Sequence, residues 1–407
     1  MLCKRVPGSP AQVSTRASVV KGQALIRTLF RAGASVALGL ERIVQRTPDP
    51  AKADRVSRVL VLEYNLPLGT CVHMTPLYEA LRRRRIHVTV ATRGLGLEVL
   101  RHSPYVDTLL ETPDPLTDLG AAVTSLRRQL TRRNLNPECC LTGLADQRSR
   151  IALLAMAATR SWRGGYTVHD ELYQRPLTPD WNRSQIENNL RLAGMLGCDG
   201  PLLEPRLFYT AEDAAHARAL LAPTAGRPVI IVVSQNSGGQ PTNWFPERWQ
   251  QTLRYAARKL GYEPVYVGTA AERESIEKLR ASADGTGYSV AGQTSISQLT
   301  ALLALSDLAL TLDTGTMHIG RTVDLPMVVL APSWQSPKEW LPLGRPNVRI
   351  LCGEQRKDIP PDYRLDEISV DQAIAALEDL AALYPPGELA REARLARNLS
   401  SIDLLGR

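Results

Sequence analysis

Asp313-Thr314-Gly315-Thr316-Met317-His318 is the stretch whose residue types and spacing could do chemistry. The apolar run Leu308–Leu312 ahead of it has strand length, and Met327–Leu330 behind it is a second such run. Between them a cap-type oxygen, a glycine and small side chains predict a turn and a helix start, with a short helix from Met317 to Val323 stopped by Pro326. Strand, loop, helix and strand in that order make the unit of a parallel α/β sheet. The free N–H groups at such a helix N-terminus attract phosphate. His318 stands one helical turn in, able to face the same pocket. The same residues also suit an ordinary βα turn with a capping Asp313 and a solvated His318.

The rest of the chain must position this stretch, and it has the matching rhythm. Arg58 to Glu63, His87 to Ala91, Tyr105 to Leu110 and Glu138 to Thr142 read as strands. Helices are expected between them, the first from Cys71 to Arg85, and a further one from Arg148 to Thr159. Trp162 to Tyr166 and Thr178 to Trp181 read as loops, and Ser184 to Leu196 as a helix. A second unit starts near residue 206. Its strands are Pro228 to Ser234 and Pro264 to Gly268, and Ile296 to Leu305 is the helix that delivers the chain to Asp313. The expectation is a doubly wound parallel α/β fold. The divisions are a basic extension over 1–56, a first domain over 57–205, a second over 206–367, and a crossing helix and tail over 368–407. In this reading the helix from Ile368 to Leu383 returns to the first domain, and the tail beyond it is loose or packs beside the N-terminal helix.

Composition narrows the class. The 407 residues are 44% hydrophobic and 22% charged, the balance of a soluble globular protein. Six cysteines, at Cys3, Cys71, Cys139, Cys140, Cys198 and Cys352, show no zinc spacing, so reduced cytoplasmic thiols and no metal site are expected. Eleven Lys/Arg and three acids in residues 1–58 carry the whole net charge of +8. The body is therefore neutral, which argues against nucleic acid as a partner. No uninterrupted apolar run is long enough to span a bilayer, and the N-terminus lacks a secretory apolar core. Residues 1–20 read as disordered. Residues 22–46 predict a helix with the stripe Leu25, Leu29, Ala32, Val36, Leu40 and Ile43, its arginines largely off that stripe. Such a helix suits a membrane surface, or it packs on the first domain.

Two stretches together carry a family resemblance. Asp313-Thr-Gly-x-x-His318, followed by an apolar strand and a Pro-rich loop, resembles the C-terminal signature of the family 9 glycosyltransferases, which include the lipopolysaccharide heptosyltransferases. Arg58-Val-Leu-Val and Leu68-Gly69-Thr70-Cys71-Val72-His73-Met74-Thr75-Pro76-Leu77 resemble its N-terminal signature. Ser103-Pro-x-Val-Asp107, Arg148-Ser149-x-x-Ala152-Leu153-Leu154 and Glu187-Asn-Asn-Leu190 echo it further, so the likeness runs from about 57 to 352. It implies a GT-B arrangement, two Rossmann-like domains facing a cleft, and a metal-independent, inverting transfer that needs no cofactor. The donor would be a nucleotide-diphosphate sugar such as ADP-heptose, held on the second domain. A lipid-linked or oligosaccharide acceptor would lie on the first. The location implied is cytoplasmic, on the inner face of the membrane.

The resemblance also assigns residues. Asp313, Thr314, Gly315, Thr316 and His318 would hold the donor diphosphate, beside Ser237 of the glycine-rich loop 235–242. Glu272, in Gly268-Thr-Ala-Ala-Glu272, would reach the ribose or base, and it equally suits the first turn of a helix. Asn243 stands at or near the place of a family lysine that contacts the donor. The loop after Pro332 is longer than in the family and carries Trp334. The largest departure is Thr70, which stands where the family has the Asp that deprotonates the acceptor. A threonine hydroxyl cannot take up a proton at neutral pH as a carboxylate can. His73, one turn along the same helix, and Glu63, at the end of the strand, are the nearest substitutes. A base at His73 implies activity that falls in acid with a histidine-type pKa. A non-catalytic sugar-nucleotide-binding protein and a sugar-nucleotide epimerase are the other readings.

Overall fold

The computed structural model describes residues 55–65, 67–236, 243–356, 359 and 363–406. The amphipathic stretch 22–46, Ser237 and the rest of the 237–242 loop lie outside the described residues. The first half contains β1 (Arg58–Leu62), α1 (Leu68–Arg83), β2 (His87–Thr92), α2 (Leu95–Leu100), β3 (Thr108–Glu111), α3 (Leu119–Arg132), β4 (Cys139–Thr142), α4 (Ser149–Ala158), β5 (Trp162–Tyr166), β6 (Arg175–Leu177) and α5 (Gln185–Gly194). The second contains α6 (Ala211–Leu221), β7 (Val229–Val233), α7 (Pro246–Arg258), β8 (Glu263–Tyr266), α8 (Arg273–Ser282), β9 (Tyr288–Ser289), α9 (Ile296–Ala304), β10 (Leu308–Leu312), α10 (Gly315–Thr322), β11 (Met327–Leu330), α11 (Pro337–Trp340), β12 (Val348–Leu351), α12 (Val370–Leu383) and α13 (Glu388–Arg397).

Each half is a six-stranded sheet. The orders are β3-β2-β1-β4-β5-β6 and β12-β11-β10-β7-β8-β9, with the ladders parallel throughout. Numbered within its own half, each order is 3-2-1-4-5-6, that of a dinucleotide-binding doubly wound fold. The central strands read Val-Leu-Val-Leu, Val-Ile-Ile-Val-Val and Leu-Ala-Leu-Thr-Leu because helices cover both of their faces. The expected α/β class and paired doubly wound sheets of a GT-B fold are what the chain forms. One apolar cluster runs across both halves, from Val59 and Leu77 to Leu299, Met317 and Val329. Among the described residues no helix is long and apolar enough to cross a membrane.

Three expectations change. Trp162–Tyr166 is a buried strand rather than a loop. Its two glycines read as turn signals, yet Gly165 has φ +120° and packs on the Thr142 backbone, where a side chain has no room. The helix α12 does not return to the first half. Its buried face, Ala373, Ala376, Leu377 and Leu380, joins Trp244 and Trp249 in the core of the second half. The tail makes the crossing instead. Helix α13 is held by Arg391 on Asp307 at 2.8 Å. Tyr209 and Leu399 then form a parallel bridge, Leu404 N–H donates to the Arg101 carbonyl at 2.9 Å, and Arg101 pairs with Asp403 at 2.7 Å.

Candidate functional site

In open parallel sheets, ligands bind beyond the carboxyl ends of the strands where the strand order reverses. That point lies between β1 and β4 in the first half and between β7 and β10 in the second. The segments leaving all four strands line one cavity of about 900 Å³. Asn65 and Leu68–Thr70 follow β1, Ala145 follows β4, Gln235 and Asn236 follow β7, and Asp313–Thr316 follow β10. Gly268, Thr269 and Glu272 after β8 also line it, with Gln185, Gln335 and Trp340.

Two helix N-termini meet at this cavity. Helix α1 starts at Leu68 behind Pro67, and α10 starts at Gly315 behind Thr314. Neither has a side chain capping it, so N–H groups of the first turn stay available. The helices touch through their glycines. A Cβ on Gly315 would stand 2.8 Å from Leu68 Cβ, and one on Gly69 would stand 2.6 Å from His318 Cδ2. Gly315 is thus first a packing position against the other half.

His318 lines the cavity and is buried, with its Nδ1 3.1 Å from Nε2 of the buried His73. Trp340 stacks on His73 at 5.4 Å between ring centroids and sits edge-on to His318 at 6.3 Å. Burial, His318 and Arg321 hold His73 well below the usual histidine range, and burial with Arg321 pushes His318 down to about 3. Both rings are neutral at pH 7, and one ring donates to the other. His73 does not line the cavity itself. It reaches the site through His318.

Glu63 lies away from the cavity, wholly buried beneath α1, where Tyr78 OH donates to its Oε2. Burial pushes its carboxyl up to about 8, so it is protonated at neutral pH. Asp146 has a different task. It accepts from the Tyr64 and Asn65 N–H groups at 3.2 and 2.9 Å and so fixes the loop after β1. Thr70 is buried in the first turn of α1 and lines the cavity.

On the second half, Glu272 accepts from Thr269 N–H at 2.7 Å and Thr269 OH at 2.9 Å, a capping box at the cavity wall. The Asp313 carboxyl is pushed up to about 6 by burial alone. Thr314 Oγ1 is buried without a hydrogen-bond partner. Asn243 is exposed and does not line the cavity, because the buried Trp244, bonded through Nε1 to the Ile368 carbonyl at 3.0 Å, anchors the turn beside it. Sequence reasoning missed Trp340 and Gln185. Trp340 lies in the lengthened loop, and Gln185 donates to Glu339 at 2.7 Å across the two halves.

A family model described as glycosyltransferase family 9 (heptosyltransferase) matches residues 124–360, more than half of the chain. The chain belongs to glycosyltransferase family 9. It is 29% identical over 102 residues to the lipopolysaccharide core heptosyltransferase OpsX of Haemophilus influenzae, a match spanning 25% of this chain and 29% of that relative. The family 9 glycosyl transferase of Veillonella parvula superposes with a TM-score of 0.71 at 19% identity, over 80% of this chain and 98% of that one. The ADP-heptose lipopolysaccharide heptosyltransferase II of E. coli gives 0.65 at 19% identity, over 80% and 99%. These likenesses establish the fold. The site residues above belong to a family 9 scaffold with Thr70 at the head of α1.

Proposed function

We propose that this family 9 chain is an inverting glycosyltransferase that moves a heptose-like sugar from a nucleotide-diphosphate donor to a lipopolysaccharide-type glycan. The observation that carries this reading is the cavity shared by the two switch points. It has two uncapped helix N-termini on one side and a buried histidine pair beside them. Helix-end N–H groups stabilise the negative charge that grows on a leaving diphosphate. The donor would lie against Asp313–Thr316 and Glu272, and the acceptor against the loop ahead of α1. With Thr70 unable to act as a base, the acceptor proton passes to the cavity-lining His318, whose Nδ1 is backed by His73. Relatives named for lipopolysaccharide heptosyl transfer favour ADP-heptose as donor. No cofactor is required.

The test is product formation from ADP-heptose and a lipopolysaccharide core acceptor. Transfer by the native chain is expected, with a further rise in Thr70→Asp. Nucleotide binding without transfer in both proteins would favour the second reading, a non-catalytic sugar-nucleotide binder, which Thr70 itself supports. The location proposed is the inner face of the cytoplasmic membrane, with residues 22–46 on its surface. Loss of anionic-vesicle binding on removal of residues 1–50 checks it.

A further inference from the structure

The first half carries a second concavity, and its lining has a different chemistry. A groove of about 570 Å³ lies against α5 and the C-terminal end of α1, and among the described residues it shares no lining residue with the cavity between the halves. Arg83 and Arg84 reach it from the end of α1, Arg191 from α5, and Arg183 from the turn ahead of α5. Arg83 pairs with Glu79 at 2.7 Å and Arg183 with Asp180 at 3.0 Å, each guanidinium side chain still more than half exposed. Arg84 and Arg191 donate instead to the carbonyls of Gly197 at 2.7 Å and Thr178 at 2.8 Å, neutral partners that leave their charge in place. The acids of the lining are Glu187 and Asp199, and Glu187 already accepts from the Ser184 N–H at 2.8 Å. The ends of α1 and α5 add roughly half a negative charge each, so four guanidiniums leave the groove positive. The rest of its wall is apolar, with Leu177, Leu190, Leu203 and the 56% exposed Leu202.

We infer that this groove binds a phosphorylated lipid, with its phosphate on the arginines and the start of an acyl chain along the leucines. Guanidinium forks match phosphate oxygens in paired, charge-assisted hydrogen bonds. A phosphate alone would leave the leucine wall in water. A neutral lipid would lay its chain beside guanidiniums that no anion compensates. A ligand with both groups satisfies both walls. The groove stands apart from the donor site. Helix α1 begins at the cavity and ends at the groove, and its 16 residues span roughly 24 Å. Occupation of the groove does not depend on which nucleotide the cavity takes.

Calorimetric titration of the full-length protein with monomeric dihexanoyl phosphatidic acid tests it, with dihexanoyl phosphatidylcholine and glycerol 3-phosphate alongside. Monomeric lipid is used because vesicles would also report on residues 22–46. Phosphatidic acid should bind more tightly than either comparison by roughly tenfold or more, the worth of one charge-assisted contact. Arg84→Gln and Arg191→Gln should each weaken it roughly tenfold. Circular dichroism verifies the fold of each variant, and Arg83→Gln, at an exposed side chain, takes the place of one that misfolds. Leu202→Ser should narrow the gap between phosphatidic acid and glycerol 3-phosphate. Equal affinity for phosphatidic acid and phosphatidylcholine overturns the role of the phosphate. Equal affinity for phosphatidic acid and glycerol 3-phosphate overturns the lipid. Binding that survives intact in the folded arginine variants overturns the groove as its place, and absence of phosphatidic acid binding overturns the whole proposal.

Discussion

His73 and His318 show how burial rewrites a side chain's chemistry. A histidine in water changes charge near pH 6.5, but here desolvation holds both rings neutral far below that. The acid limb of activity should accordingly lie well under the ordinary histidine value, which corrects the expectation of a histidine-type limb. His318→Ala should lower kcat by roughly 10²-fold or more, the usual worth of a positioned base. His73→Ala should do nearly as much, and the double variant little more, since the two act as one hydrogen-bonded unit. His73→Ala should leave the Kd for nucleotide close to native. Rate profiles from pH 4 to 8 check this. A fully active His318→Ala would place the base elsewhere, whereas a fully active His73→Ala would remove only the backing role of that ring.

At the scale of elements, the site is made by two helices meeting end to end. Gly69 and Gly315 let α1 and α10 approach until Leu68 and His318 fill the gap. Gly69→Ala must displace the His318 ring or part the helices, because the added carbon would sit 2.6 Å from Cδ2. Nucleotide affinity and turnover should both fall, while far-UV dichroism stays native because the sheets are untouched. Gly315→Ala, against Leu68, should behave alike. Native nucleotide affinity in both variants would mean that the contact plays no part in the site.

At the scale of the molecule, three buried carboxyls set a pH dependence. Glu63, Asp146 and Asp313 are pushed from ordinary values of 4.5, 3.8 and 3.8 up to about 8, 7 and 6 by burial. In that window the folded chain holds protons that the unfolded chain has lost, so stability falls as pH rises. The histidine pair acts oppositely. Its neutral form is favoured in the fold, and that contribution is present above 6.5 and lost as pH drops through the lowered values, about 3 for His318. Stability should therefore peak on the acid side of neutrality. Urea unfolding between pH 4 and 9 measures it, and Glu63→Gln should flatten the alkaline slope. An unchanged slope in that variant would show that Glu63 is ionised in the folded chain.

What the sequence determined by itself follows from local physics. Apolar runs of strand length between helical stretches imply parallel sheets, and Asp313-Thr-Gly places a helix start beside a strand end. Those signals located the α/β class, the paired doubly wound sheets and the stretch around which the cavity forms. The tertiary structure decided what depends on distant partners. Burial under α1 removes Glu63 from the cavity, and contact across 245 residues joins His73 to His318. The strand Trp162–Tyr166 looked like a loop because its glycines serve close packing rather than a turn. The tail, not α12, ties the halves together, since α12 has an apolar face that its own sheet covers. Spacing along a chain reports which groups can be neighbours on one element; desolvation and contact between elements exist only once the halves have closed on each other.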